Sequence, residues 1–292
     1  MLNKQHRILF VINPKSGIGK QKKIELLIEK YLDKQIFSHE ITYTQYAGHA
    51  KEICETKKNE FEIICLVGGD GTINEGAGSL INSNTALAII PTGSGNGLAR
   101  HLKIPMKPED ALKKLNNLSY KNIDACKINE QYFFNVAGIG FDGLIAHKFA
   151  SFGKRGFSSY LKIVLNEFSK YKENEFNLII DGKTINTKAF MVSLANSSQF
   201  GNNVVISPQA CIDDGLINVV VLRKFSIIVA PVIALRLFTK SINNSCFVTN
   251  YICKQLEIND LKNIYLHIDG EPSIINFPIK IEVLNRALRV VV

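Results

Sequence analysis

The sequence lacks any apolar run long enough to cross a bilayer. Its longest one, residues 225–238, is 14 residues and is interrupted by Pro231 and Arg236, whereas a span takes about 20. Nearly every residue in it is apolar, so it reads as a helix buried in a core, with membrane contact as the lesser expectation. No secretory segment is visible, because Lys4 and Arg7 lead straight into the short strand-like run 8–12. The six cysteines, at 54, 65, 126, 211, 246 and 253, form no C-x-x-C pair, and the histidines are not paired. That argues against a zinc site or a disulfide framework and for a reducing, cytoplasmic setting. The sequons at Asn117, Asn196 and Asn243 then carry no meaning for glycosylation. There is also no internal repeat, no low-complexity tract and no nucleic-acid-binding module, so nucleic acid is not an expected partner.

What is present suits a globular protein. The 292 residues are 46% apolar and 21% charged, and that length favours two domains over one core. The net charge of +9 is spread along the chain. It reads as a solvated basic surface or as attraction to anionic lipid headgroups, which would allow a peripheral visit to a membrane.

Residues 1–122 alternate strand patterns (7–13, 39–46, 63–67, 86–90) with helical ones (21–32, 50–58, from about 73, up to 102, and 108–115). This predicts an α/β nucleotide-binding domain with a parallel sheet; the apolar C-terminal strand within 287–292 could complete it or return to the second sheet. Residues 123–286 read as a mostly antiparallel β-sandwich domain with strands at 124–129, 132–137, 177–181, 184–195, 216–222, 246–258 and 265–269. Helical patterns there are few: 142–150, 160–171 and 227–237. Asp181-Gly182 is a strong hairpin signal.

Two glycine-rich turns follow strands of the first domain. In Gly68-Gly69-Asp70-Gly71-Thr72 the glycines let the backbone approach phosphate, and the following helix would aim free amides at the anion. Asp70 makes sense there if it handles a metal or a hydroxyl proton; the bland reading is a plain loop. Pro91-Thr92-Gly93-Ser94-Gly95-Asn96-Gly97 repeats the logic. Asn13-Pro14-Lys15-Ser16-Gly17 lacks the Gly-Lys-Ser/Thr spacing of a P-loop. Gly138-Ile139-Gly140-Phe141-Asp142-Gly143 fits G-x-G-x-x-G, but Asp142 would repel a pyrophosphate, so a dinucleotide site is not expected. Asp142, Asp213, Asp214, Asp269 and Glu271 all sit in glycine-bearing turns, which Asp-Gly pairs form by default. Their coincidence with two phosphate cradles favours phosphoryl transfer. His101, His147 and His267 look isolated and receive no role.

Taken in order, Gly68–Thr72 with Glu75, 91–96, 138–142, 213–215 and 269–271 resemble the diacylglycerol kinase and sphingosine kinase catalytic family over nearly the whole chain. The resemblance implies an ATP- and Mg2+-dependent lipid kinase with catalysis in a cleft between two domains. It implies that Asn13, Ser16, Gly69, Asp70, Gly71, Thr72, Glu75, Gly93, Ser94 and Asn96 hold ATP, with Arg155 on a phosphate. Asp142 would face the acceptor, and Asp213 and Asp214 would serve magnesium. Asp269 would be the general base with Glu271 beside it, or Asp70 in its place. The second turn is closer to the sphingosine kinase form than to the bacterial diacylglycerol kinase one, so diacylglycerol, a sphingoid base and related lipids all stay open. The expected partners are ATP and a lipid at a membrane surface, with a homodimer allowed. The competing readings are an NAD kinase-like or other soluble-alcohol kinase, and a binding protein with a decayed site.

Overall fold

The computed structural model describes residues 5–16, 21–152, 157–259, 264–274 and 276–292. The chain divides into two compact units, Met1–Ile123 with Arg286–Val292, and Asp124–Asn285; the boundaries read from the sequence are 122/123 and 286/287.

The first unit runs β1 (His6–Ile12), α1 (Gln21–Tyr31), β2 (Phe37–Tyr43), α2 (His49–Lys57), β3 (Ile63–Gly68), α3 (Asp70–Ser79), β4 (Ala86–Pro91), α4 (Gly97–His101), α5 (Pro108–Leu115) and the start of β5 (Tyr120–Ile128). Its strands lie in the order β2-β1-β3-β4, all parallel. Every residue of β3 and β4 is buried, as a parallel sheet covered by helices requires. Chain order reverses between β1 and β3, and in open α/β sheets ligands bind beyond the carboxyl ends of strands at such a switch point.

The second unit continues with β6 (Gln131–Phe133), β7 (Val136–Gly140), α6 (Phe141–Ser151), α7 (Phe157–Phe168), β8 (Asn174–Ile180), β9 (Lys183–Ala189), β10 (Met191–Ala195), the small hairpin β11 (Gln199–Gly201) and β12 (Val204–Val205), and β13 (Ile217–Leu222). It ends with α8 (Ala230–Phe238), β14 (Val248–Cys253), β15 (Gln255–Asn259), β16 (Leu266–Ile268), β17 (Glu271–Ser273) and β18 (Ile279–Val291). One sheet has the antiparallel order β14-β13-β10-β7-β16-β17. Alternate residues of its strands (Ile139, Val192, Leu194, Val219, Val221) pack on Leu178, Leu256, Ile258 and Ile281 from β8, β15 and β18. That is the sandwich core, and it follows the two-residue period of a strand. The other face (Val136, Met191, Val220, Leu222) packs against Phe141 and Ile145 of α6, Ile163 of α7 and Ile233 of α8. The last residues of β18 belong to the first unit, where Val290 pairs in parallel with Leu87 of β4.

The α/β unit and the antiparallel unit are thus as expected, but three expected single strands are each two. Residues 184–195 are β9 and β10, residues 246–258 are β14 and β15, and residues 132–137 hold the end of β6 and the start of β7. Apolar alternation continues through a corner, so sequence cannot show where a chain changes sheet. The expected burial of residues 225–238 is also overturned: within α8 only Ile233 is buried.

Two measurements probe this core. Leu194 is fully buried in the sandwich, so Leu194→Ala should cost about 2–5 kcal/mol in urea unfolding. Cys54, Cys65, Cys126 and Cys253 are buried. Burial pushes the thiols of Cys54 and Cys253 up to about 12 and also raises those of Cys65 and Cys126. Only the exposed Cys211 and Cys246 should react with a thiol reagent in the native protein, the other four following on unfolding.

Candidate active site

The first unit gathers its glycine turns at the switch point. Asn13, just past β1, donates its backbone N–H to Val67 O at 2.9 Å and its side-chain amide to Thr72 Oγ1 at 2.8 Å. Ser16 Oγ lies 2.8 Å from Thr92 Oγ1, so the loop after β1 touches both glycine turns. A Cβ on Gly93 would stand 2.6 Å from the Gly69 Cα; the two turns meet backbone to backbone, which only glycine allows. Helix α3 starts at Asp70 itself, earlier than its apolar periodicity suggested. Asp70 Oδ2 accepts from Asn96 N and Oδ1 from Gly97 N, both at 2.8 Å, and its negative charge also favours the N-terminal turn of α3.

The second turn is closed internally. Asn96 Nδ2 donates to Gly93 O at 2.8 Å and Arg100 Nε to Gly95 O at 3.0 Å. Asn96 is left-handed at φ 52°, and its buried Oδ1 has no hydrogen-bond partner. Gly71 and Thr72 complete the first turn of α3, Glu75 is half-buried one turn further, and Ser94 is exposed. A backbone-lined cradle at the opening of α3, where Gly69 and Gly93 approach too closely for a Cβ, fits a polyphosphate nucleotide. Sequence reasoning assigned no role to Thr92 or Arg100, which brace this cradle.

The second unit builds its polar site on one face of the β10-β7-β16 ladder. Ser193, Gly138 and His267 are register partners in a row. Asp142, in the first turn of α6, lays its carboxylate over Gly138. Ser193 Oγ donates to Asp142 Oδ2 at 3.1 Å, Gly143 N donates to Oδ1 at 2.9 Å, and His267 Nε2 lies 3.6 Å from Oδ2. All three side chains are buried. Gly270 N donates to His267 Nδ1 at 3.3 Å, which leaves the proton on Nε2, facing Asp142. His267 is therefore not isolated.

The G-x-G-x-x-G spacing is explained by this packing. A Cβ on Gly138 would lie 2.0 Å from Asp142 Oδ2; Gly140 has φ +101°; a Cβ on Gly143 would lie 2.3 Å from Tyr265 O.

Asp269 and Glu271 share a hairpin but behave differently. Asp269 (φ 47°) and Gly270 (φ 88°) are the two-residue loop between β16 and β17. The Asp269 carboxylate accepts from Phe134 N at 3.0 Å, Asn135 N at 2.9 Å and Val136 N at 3.1 Å. Asp181, in the matching loop between β8 and β9, accepts in the same way from Lys254 N and Gln255 N at 3.1 and 3.0 Å. Glu271, by contrast, is exposed at the start of β17.

In the remaining acidic turn, Asp214 Oδ1 accepts from Leu216 N at 3.0 Å and Asp213 Oδ1 takes a 3.2 Å contact from the Cys211 thiol. Buried Asp124, overlooked in the sequence, accepts from Gly215 N at 2.7 Å; its signal was a lone carboxylate in an apolar strand, which needs a partner. Ser193, alone in Met191–Ala195, is a second such case. Among the described residues no three metal-ligating side chains gather. Asp213 and Asp214 still supply the oxygen donors magnesium prefers, and magnesium usually takes one or two carboxylates alongside phosphates and water. Arg155 lies outside the described residues.

Fold and site together define a kinase-type architecture: paired glycine cradles at the switch point of an α/β unit, and an antiparallel sandwich carrying acidic turns. Residues 7–128 match the family model "Diacylglycerol kinase catalytic domain" and residues 135–292 match "YegS C-terminal NAD kinase beta sandwich-like domain". The chain belongs to this diacylglycerol kinase and YegS-like lipid kinase family, which makes it a phosphotransferase with an alcohol as acceptor. It is 29% identical to the diacylglycerol kinase of Bacillus subtilis (strain 168), covering 92% of this chain and 90% of that protein. It is 28% identical to a protein of Alcanivorax borkumensis named "Probable lipid kinase YegS-like", covering 93% of each. In fold it matches the crystal structure of a diacylglycerol kinase from Bacillus anthracis str. Sterne with TM-score 0.75, at 22% identity, covering 99% and 97% of the two chains.

Gly93→Ala should destabilise the first unit by about 1–3 kcal/mol in urea unfolding, because the obstructing atom is backbone and cannot rotate away. Gly138→Ala should do the same to the second unit by displacing Asp142.

Proposed function

We propose that the protein transfers the γ-phosphoryl group of Mg-ATP to the hydroxyl of a lipid such as diacylglycerol or a sphingoid base. The observation that carries the nucleotide half is the contact of Gly69 with Gly93, which opens a Cβ-free cradle bordered by α3. The lipid half rests on relatives whose names say diacylglycerol kinase and lipid kinase. Gly69, Asp70, Gly71, Thr72, Gly93, Ser94 and Asn96 would seat the triphosphate, with Asn13, Ser16 and Glu75 around it. Magnesium, when bound with help from Asp213 and Asp214, would neutralise phosphate charge.

The roles of the two hairpin carboxylates separate on geometry. Asp269 spends both oxygens on three amides, which suits a residue that positions the turn. Glu271 is exposed next to it and is the better proton acceptor. In this reading Glu271 takes the acceptor hydroxyl's proton at a carboxylate oxygen. The hydroxyl oxygen then bonds to the γ-phosphorus as the bond to the ADP oxygen breaks. Asp142, held by Ser193 and His267, would orient that hydroxyl. Asp70, bonded to Asn96 N and Gly97 N, would hold the two cradles together.

The test is radiolabelled γ-phosphate transfer from Mg-ATP into a total lipid extract in detergent micelles. Wild type should label one lipid class. Glu271→Gln should lose about 100- to 10,000-fold in rate with an unchanged urea midpoint. Asp269→Ala should lose activity and also stability, by about 1–3 kcal/mol per amide left unpartnered. Label in NAD or another soluble alcohol, with none in lipid, would overturn the acceptor class.

A further inference from the structure

The segment between β13 and β14 departs from the usual amphipathic pattern. Residues 226–238 hold only two polar side chains, Ser226 and Arg236, yet most of the segment faces solvent. Ile227, Ile228, Val232, Leu235 and Phe238 are 48%, 84%, 50%, 62% and 48% exposed. The last four fall at steps of four, three and three residues, so they form one stripe. The 3-10 turn Ile227–Val229 and α8 therefore expose an apolar face, while Ile233 anchors the helix to the unit beneath. A helix apolar all round is at rest only when every face is covered, and a contiguous exposed apolar patch marks an interaction surface. At nine residues, about 13 Å, α8 cannot cross a bilayer, but it can lie in the plane of one.

Charge indicates what covers the stripe. From Gly215 to Leu256 the sequence holds no Asp or Glu, and it holds Arg223, Lys224, Arg236, Lys240 and Lys254. Exposed Arg223 precedes the stripe and exposed Lys240 follows it. Lys224 turns inward, its ammonium 4.1 and 4.3 Å from the rings of Phe168 and Phe190, and its backbone N–H is taken by Glu173. Glu173 is the acidic side chain bonded to this segment. A second copy seated here would bring like charges together, whereas anionic headgroups complement them. An apolar stripe bordered by Lys and Arg is the composition of an interfacial helix.

We propose that the turn Ile227–Val229 and α8 form a docking surface for an anionic lipid bilayer, with Ile228, Val232, Leu235 and Phe238 inserting and Arg223 and Lys240 meeting the headgroups. This rests on the lipid-kinase reading, because an enzyme whose acceptor resides in a bilayer must approach it from the surface.

Sedimentation with vesicles, without ATP, tests it. Wild type should pellet with phosphatidylcholine vesicles containing phosphatidylglycerol, and less with phosphatidylcholine alone. Ile228→Asp and Leu235→Asp should each cut that partition by about tenfold or more, since a charge replaces an inserting apolar group. Lys240→Glu, which leaves the apolar stripe intact, should weaken binding to the anionic vesicles selectively. Transfer to a short-chain, water-soluble diacylglycerol should be unchanged in all three. Variants that pellet like wild type would overturn the proposal. So would a wild-type dimer in solution that Ile228→Asp makes monomeric, because a second copy would then cover the face. If no lipid is phosphorylated in any format, the kinase reading fails, while the sedimentation result is still read independently.

Discussion

The carboxylate of Asp70 is the tie on which the first unit's site depends. It sits at the start of α3 and reaches the amides that open α4, so the turns after β3 and β4 behave as one object. The approach is close enough that Gly69 and Gly93 touch through their backbones. Ionised oxygens on backbone amides are among the stronger hydrogen bonds a protein makes. Here they fix two loops that would otherwise move separately. Asn13 and Ser16 then attach the loop after β1 to the same object, which is why three loops distant in sequence present one surface.

The second unit uses the same device in its own way. Asp142 is held over Gly138 by Ser193, Gly143 and His267, and Asp269 is held by three consecutive amides. Buried carboxylates with a full set of donors are positioned groups, and the cost of burying their charge is offset by those bonds. Such residues shape a site. Glu271, one residue past the Asp269-Gly270 loop, is instead left exposed.

Much of this was legible in sequence because it is local. The β/α alternation followed from apolar periodicity, and the Asp181 hairpin and the turn at Asp269 from Asp-Gly chemistry, which supplies left-handed φ at both loop positions. The glycine cradles were found because glycine itself marks close backbone approach. The corners at Phe190 and Lys254 were not legible, since alternation does not say which sheet a strand joins. Nor was the exposure of α8, since an apolar helix reads the same whether its free face meets protein or lipid.

The contrast between Asp181 and Asp269 shows the division. The sequence alone determined that both would open tight turns, because turn geometry depends on neighbours one or two residues away. It also determined that carboxylates and glycine cradles would occur in one order along the chain. Only the tertiary structure decided which amides each carboxylate would meet. For Asp269 these lie 133 to 135 residues earlier. Hydrogen-bond partners across that separation are set by sheet register, which belongs to the packed core and to no single segment.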